Sequence, residues 1–98
     1  MAMNPQEYLQ HLTERFKTYS HLKLLLTSCT TKSEFNDVAK QVIDNINEDG
    51  INHFEFSKTV QSIPPVIEHR YMDLCDYSRK LMEYLCYYKN IMKEFWSV

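Results

Sequence analysis

Proline and glycine, the two residues that most readily end a helix, occupy only four positions in this chain: Pro5, Gly50, Pro64 and Pro65. A sheet of short strands needs many tight turns, and such turns rely on residues that tolerate left-handed backbone or a fixed φ. With so few of them, the chain is predicted to be all-α, with long helices between the breaks. The clearest helix follows Pro64-Pro65. There Ile67, Tyr71, Leu74, Ser78, Leu81, Leu85, Tyr88, Met92 and Phe95 alternate steps of four and three residues, and only Ser78 is neither apolar nor aromatic. That spacing is a heptad seam.

The remaining segments supply further helices. Asn4-Pro5-Gln6-Glu7 reads as a capped start, with proline in the first turn where its missing N–H costs nothing. Tyr8, Leu12, Phe16 and Tyr19 then mark one face of a helix from Pro5 to about Thr18, and His21 to Ser28 either continues it or forms a second one after a break near Ser20. Thr31-Lys32-Ser33-Glu34 is a capping box opening a helix whose apolar set is Phe35, Val38, Ala39, Val42, Ile43 and Ile46. This helix is expected to close at Asn47-Glu48-Asp49-Gly50, with Gly50 left-handed. A second capping box, Asn52 with Glu55, opens a short helix to Val60. The sum is one domain over residues 1–98: a compact bundle of about four to five helices, with a short-helix body at 1–63 and a long C-terminal helix at 64–98.

The length of that last helix raises a packing question. From Pro65 to Trp96 it would span about 48 Å at 1.5 Å per residue. A compact domain of this size is only about 32 to 35 Å across. The helix is therefore predicted to project, bend, or pair with a second copy in a coiled-coil homodimer. Its flanks, Tyr77, Tyr84 and Ile91 on one side and Cys75, Met82 and Trp96 on the other, carry the Tyr, Met and Trp enriched at protein interfaces. The expected docking residues are Tyr77, Leu81, Tyr84, Leu85, Tyr88, Ile91, Met92, Phe95 and Trp96; the N-terminal half of the helix is expected to pack on the preceding helices, and the stretch from Tyr84 to Trp96 to meet the partner.

Charge narrows the partner. The formal net charge is -2, and the last third is balanced at five acids against five bases. No basic stripe is available to displace counterions from phosphates, so nucleic acid is an unfavoured partner. Every helix-length window contains charged residues, so no membrane span is expected, and no basic-then-apolar leader is visible. Three cysteines, Cys29, Cys75 and Cys86, make an odd number without a C-x-x-C pair, which fits reduced thiols in a cytoplasmic protein.

Asn45-Ile46-Asn47-Glu48-Asp49-Gly50-Ile51-Asn52-His53-Phe54-Glu55-Phe56 resembles an EF-hand loop, with oxygen-bearing side chains at the first, third and fifth positions and glycine at the sixth. The twelfth position is Phe56, and the carboxylate of Glu55 falls one residue early. The resemblance implies a calcium site from Asn45, Asn47, Asp49 and Glu55; the residues alone read as a helix end followed by a helix start. His69, Asp73 and Asp76 share a polar face without a third nitrogen or sulfur donor, so no metal or other cofactor is expected. No thiol–histidine pair or glycine-built phosphate or oxyanion loop points to catalysis. The expected function is that of a small non-enzymatic interaction module, an adaptor, inhibitor or chaperone-like regulator binding a protein through its last helix. The alternative is a regulator in which three short helices before Pro64 form a helix-turn-helix-like unit, dimerised by the last helix.

Overall fold

The computed structural model describes residues 3–96 and arranges them as an up-down-up bundle of three helices: α1 (Pro5–Thr27), α2 (Lys32–Thr59) and α3 (Pro65–Met92). Two of the three caps read from the sequence are formed; the third, Asn52 with Glu55, is not, because both residues lie inside the continuous helix α2. Asn4 Oδ1 accepts from the Glu7 amide at 2.8 Å while its Nδ2 donates to Glu7 Oε1 at 2.9 Å, and Thr31 Oγ1 accepts from the Glu34 amide at 3.1 Å. Pro65 opens α3 as its first residue, where no intrahelical N–H is needed. The extended backbone of Val60 (φ -117°, ψ 142°) begins the passage to the two prolines.

The helices are fewer and longer than expected. No break occurs near Ser20: α1 continues to Thr27 because Leu22 and Leu26 extend the buried line of Tyr8, Leu12 and Tyr19. No helix ends at Gly50 either. Among the described residues no backbone φ is positive, and α2 runs without interruption through Asn47-Glu48-Asp49-Gly50. Burial explains the override. Phe35, Val42, Asp49 and Phe56 lie one heptad apart, and all four are buried. A mid-helix glycine costs only about 1 kcal/mol, far less than the packing these four side chains secure.

The projecting-helix problem also disappears. The bundle measures 52 × 22 × 17 Å, long enough to lie along α3, whose 28 residues span about 42 Å at 1.5 Å per residue. α3 ends at Met92 rather than Trp96. Its last carbonyls are taken up in a tightened turn, where Met92 O accepts from the Phe95 and Trp96 amides at 2.9 and 3.1 Å. The heptad seam is real, but its central side chains are buried inside the chain's own bundle: Ile67, Leu74, Ser78, Leu81 and Leu85. α1 is the principal partner of α3, and α2 packs more lightly on α3 than on α1. Among the described residues no helix is long and apolar enough to cross a membrane.

Candidate protein-docking face

Three of the nine residues expected to dock belong to the core. Leu81 is 2%, Leu85 7% and Trp96 8% exposed. Trp96 turns back onto Phe35 of α2, ring centroids 4.8 Å apart, and sits 6.1 Å from Tyr88. Among the described residues its buried indole N–H has no hydrogen-bond partner. Leu81, Leu85 and Trp96 therefore hold α3 and the terminal turn to the body and are not free to meet a partner.

Four more are half-buried, and two of these serve as the joint between α1 and α3. The Tyr77 ring packs edge-on to Phe16 at 6.0 Å, and its hydroxyl shares a 3.0 Å hydrogen bond with Ser20. Tyr84 lies under the Lys23 ammonium, 5.3 Å from ring centroid to nitrogen. Tyr88 packs 6.2 Å from Phe35, while Met92 leans on the core near the last turn. Ile91 at 45% and Phe95 at 75% are exposed. To them the structure adds Tyr87, 64% exposed, and Leu24 of α1, 66% exposed. Sequence reasoning missed Tyr87 because it falls off the core seam. What remains outward at this end is an aromatic and apolar edge: Tyr87 and Ile91 of α3 and Phe95 of the terminal turn, with half-buried Tyr84 beside them. Next to it, Lys23, Asp73, Asp76, Tyr77, Lys80, Leu81 and Tyr84 line a cleft of about 430 Å³ between α1 and α3.

The segment that resembles a calcium loop has a different role. Asn45 to Phe56 is continuous helix, so its oxygen-bearing side chains radiate around an axis and do not converge. Among the described residues no group of three metal-ligating side chains comes together. Asp49 is 6% exposed and points into the bundle. Its Oδ1 meets Arg15 Nε at 2.6 Å as a charge contact without hydrogen-bond alignment, and its Oδ2 accepts from the Tyr19 hydroxyl at 2.5 Å. Arg15 also donates to Asn45 Oδ1. Burial opposes the Arg15 charge, but Asp49 and Tyr19 outweigh it and the guanidinium is held protonated more firmly than usual. Burial, then the Asp49 carboxylate, pushes the Tyr19 phenol above its ordinary range. The cluster ties α1 to α2 at mid-height.

A second polar contact joins the three helices nearer the N-terminus of α1. His53 Nδ1 is 2.8 Å from the Tyr8 hydroxyl, and the Tyr71 ring stacks flat on the imidazole with centroids 3.5 Å apart. Burial lowers the His53 pKa below its ordinary 6.5, with Glu68 pulling the other way. Burial, then the Cys75 thiol, pushes Tyr71 up to about 12. The arrangement favours a neutral imidazole and an un-ionised phenol, both serving as packing. Cys29 is buried, and burial pushes its thiol up, the state of an inert structural cysteine.

The three short helices required by the helix-turn-helix alternative are two long ones, and the short helix expected from Asn52 to Val60 is not separate but forms the last turns of α2. No family model, no curated protein and no solved structure matches this chain.

Proposed function

We propose that this chain is a protein-docking module that works by binding rather than catalysis, and that its contact face is the outer edge of α3 and the turn after it, formed by Tyr84, Tyr87, Ile91 and Phe95. The observation that carries the reading is the division of labour on one helix. The seam through Leu74, Leu81 and Leu85 is consumed by the core, yet large apolar side chains recur beside it in water, with Tyr87 at 64% and Phe95 at 75% exposure. Isolated exposed apolar residues are ordinary, whereas several on one edge mark contact surfaces. Tyrosine suits the role because it buries a large ring and keeps a polar tip.

The test is capture of partners from the native source by the tagged chain, compared with Tyr87→Asp and Ile91→Asp. Both variants are expected to keep the helical circular dichroism and melting of the parent and to lose the captured protein. Unchanged capture by both refutes the assignment.

A further inference from the structure

The edge of α3 beside α1 carries a second heptad line that the core does not use. Val66, Asp73, Lys80 and Tyr87 follow at seven-residue intervals, and all four are exposed. Four residues after each come Arg70, Tyr77, Tyr84 and Ile91, the first three half-buried and the last exposed. Together they alternate steps of four and three, the spacing of a helix-pairing seam, one residue out of phase with the core seam of Ile67, Leu74 and Leu81. Charged layers at Arg70, Asp73 and Lys80 disguise it in the sequence.

We propose that this second seam pairs with the same seam of a second copy of the chain, the two α3 helices running antiparallel. The proposal rests on the docking reading and names its occupant. Charge complementarity selects the second copy and its direction. In an antiparallel pair, the two classes of seam position face each other. One register then sets Val66 against Ile91, Arg70 against Tyr87, Asp73 against Tyr84 and Lys80 against Tyr77, each layer occurring twice across the two-fold axis. The first is apolar, two place a cation on an aromatic face, and one lets a phenol donate to a carboxylate. No layer joins like charges.

The other arrangements are worse. Sliding by one heptad in one direction sets Arg70 against Lys80; sliding in the other buries Asp73 against Ile91. A parallel pair in register stacks Arg70 on Arg70, Asp73 on Asp73 and Lys80 on Lys80. The cleft of about 430 Å³ lined by Lys23, Asp73, Tyr77, Lys80 and Tyr84 lies at the middle of the seam, a concave seat for the partner helix between α1 and α3. At the rim the favoured register brings Asp76 near Glu83 of the second copy. Arg79 tempers that repulsion, lying 3.5 Å from Asp76 and 3.3 Å from Glu83 on its own helix.

Sedimentation of the full chain between about 1 and 100 µM is expected to show a concentration-dependent dimer. Lys80→Glu, at an exposed position, should weaken it by about tenfold or more without changing the helical signal, and Glu83→Lys should tighten it. For the register, Val66→Cys with Ile91→Cys is made in a Cys75→Ser, Cys86→Ser background. Those two positions are about 37 Å apart along α3 at 1.5 Å per residue and cannot bridge within one chain. Mild oxidation should give covalent dimer from the double variant and little from either single variant. A monomer throughout the range, a dimer indifferent to Lys80→Glu, or equal cross-linking by the single variants overturns the proposal. If the chain is monomeric while Tyr87→Asp still abolishes partner capture, the docking reading stands and only the self-pairing falls.

Discussion

Asp49 is the residue whose replacement most sharply tests how this bundle is held together. In Asp49→Ala the Arg15 guanidinium loses the carboxylate it meets and the Tyr19 hydroxyl loses its acceptor, both in the interior between α1 and α2. Breaking a buried ion pair from one side costs about 3–5 kcal/mol. Arg15 keeps 16% of its side chain accessible, so water recovers part of its charge and the lower end, about 3 kcal/mol, applies. The stranded Tyr19 hydroxyl adds about 1 kcal/mol. A domain of this size is stable by about 5–15 kcal/mol in total, so the variant should be severely weakened. With a urea slope of about 1–1.5 kcal/mol/M, a loss of about 4 kcal/mol should lower the midpoint by about 3–4 M, read by helical circular dichroism. Asp49→Asn keeps an acceptor for Tyr19 and should lose about 1–2 kcal/mol. Replacing both partners with apolar residues, Arg15→Met with Asp49→Leu, should return to within about 1 kcal/mol of the parent, because it removes the desolvation of both charges. An Asp49→Ala midpoint within experimental error of the parent would mean that the contact is worth no more than a surface pair, and the reasoning would fail.

Gly50→Ala should stabilise by about 0.5–1 kcal/mol and raise Tm by a few degrees, since an added Cβ meets nothing within 4 Å and the backbone is already helical; a loss would restore the helix end expected from sequence. Stability should decline on acidification: the fold favours neutral His53, so its contribution is full above pH 6.5 and is lost as pH falls through the lowered native pKa. His53→Gln should flatten that part of a Tm-against-pH curve. Trp96→Ala should lose about 3 kcal/mol through the emptied slot beside Phe35, whereas Trp96→Phe, which removes the unpartnered indole donor, should stay within about 1 kcal/mol by urea titration. Trp96 is the only tryptophan, so the blue-shifted emission expected from its burial reports the terminal turn directly.

The helix starts at Asn4 and Thr31 and the core line of α3 were legible because each has a local physical cause, whereas the start expected at Asn52 falls inside α2. The caps at Asn4 and Thr31 satisfy amides of the first turn and need no tertiary context, and the α3 stripe is a periodicity spread over many turns. The helix through Gly50 was not legible because two effects favour a stop: a glycine that usually ends helices, and a polar residue, Asp49, at a core position. Only the Arg15 and Tyr19 side chains, thirty or more residues earlier, make an aspartate acceptable there. The candidate face was half legible. Aromatic flanks pointed to contact, but composition does not distinguish a tryptophan in the core from one in water, and Trp96 lies in the core. Tyr87 and Val66 stand one step off the line that the eye follows.

The most extensive helix pair in this bundle, α1 with α3, joins elements that are not neighbours in sequence. α2 lies between them in the chain and packs more lightly on α3. Opening need not be uniform in such a structure: the α1–α3 pair can stay closed while α2 detaches from it as a unit, giving a partially open form below the global free energy of unfolding. Native-state hydrogen exchange should therefore sort the amides by helix, with those of α2 near Phe54 and Ser57 exchanging through the shallow opening. Those of α1 and α3 flanking Leu12, Leu74 and Leu81 should exchange only with loss of the whole fold. On that ordering the outer edge of α3 would stand on the slowest-exchanging part of the molecule, a rigid platform for whatever it meets.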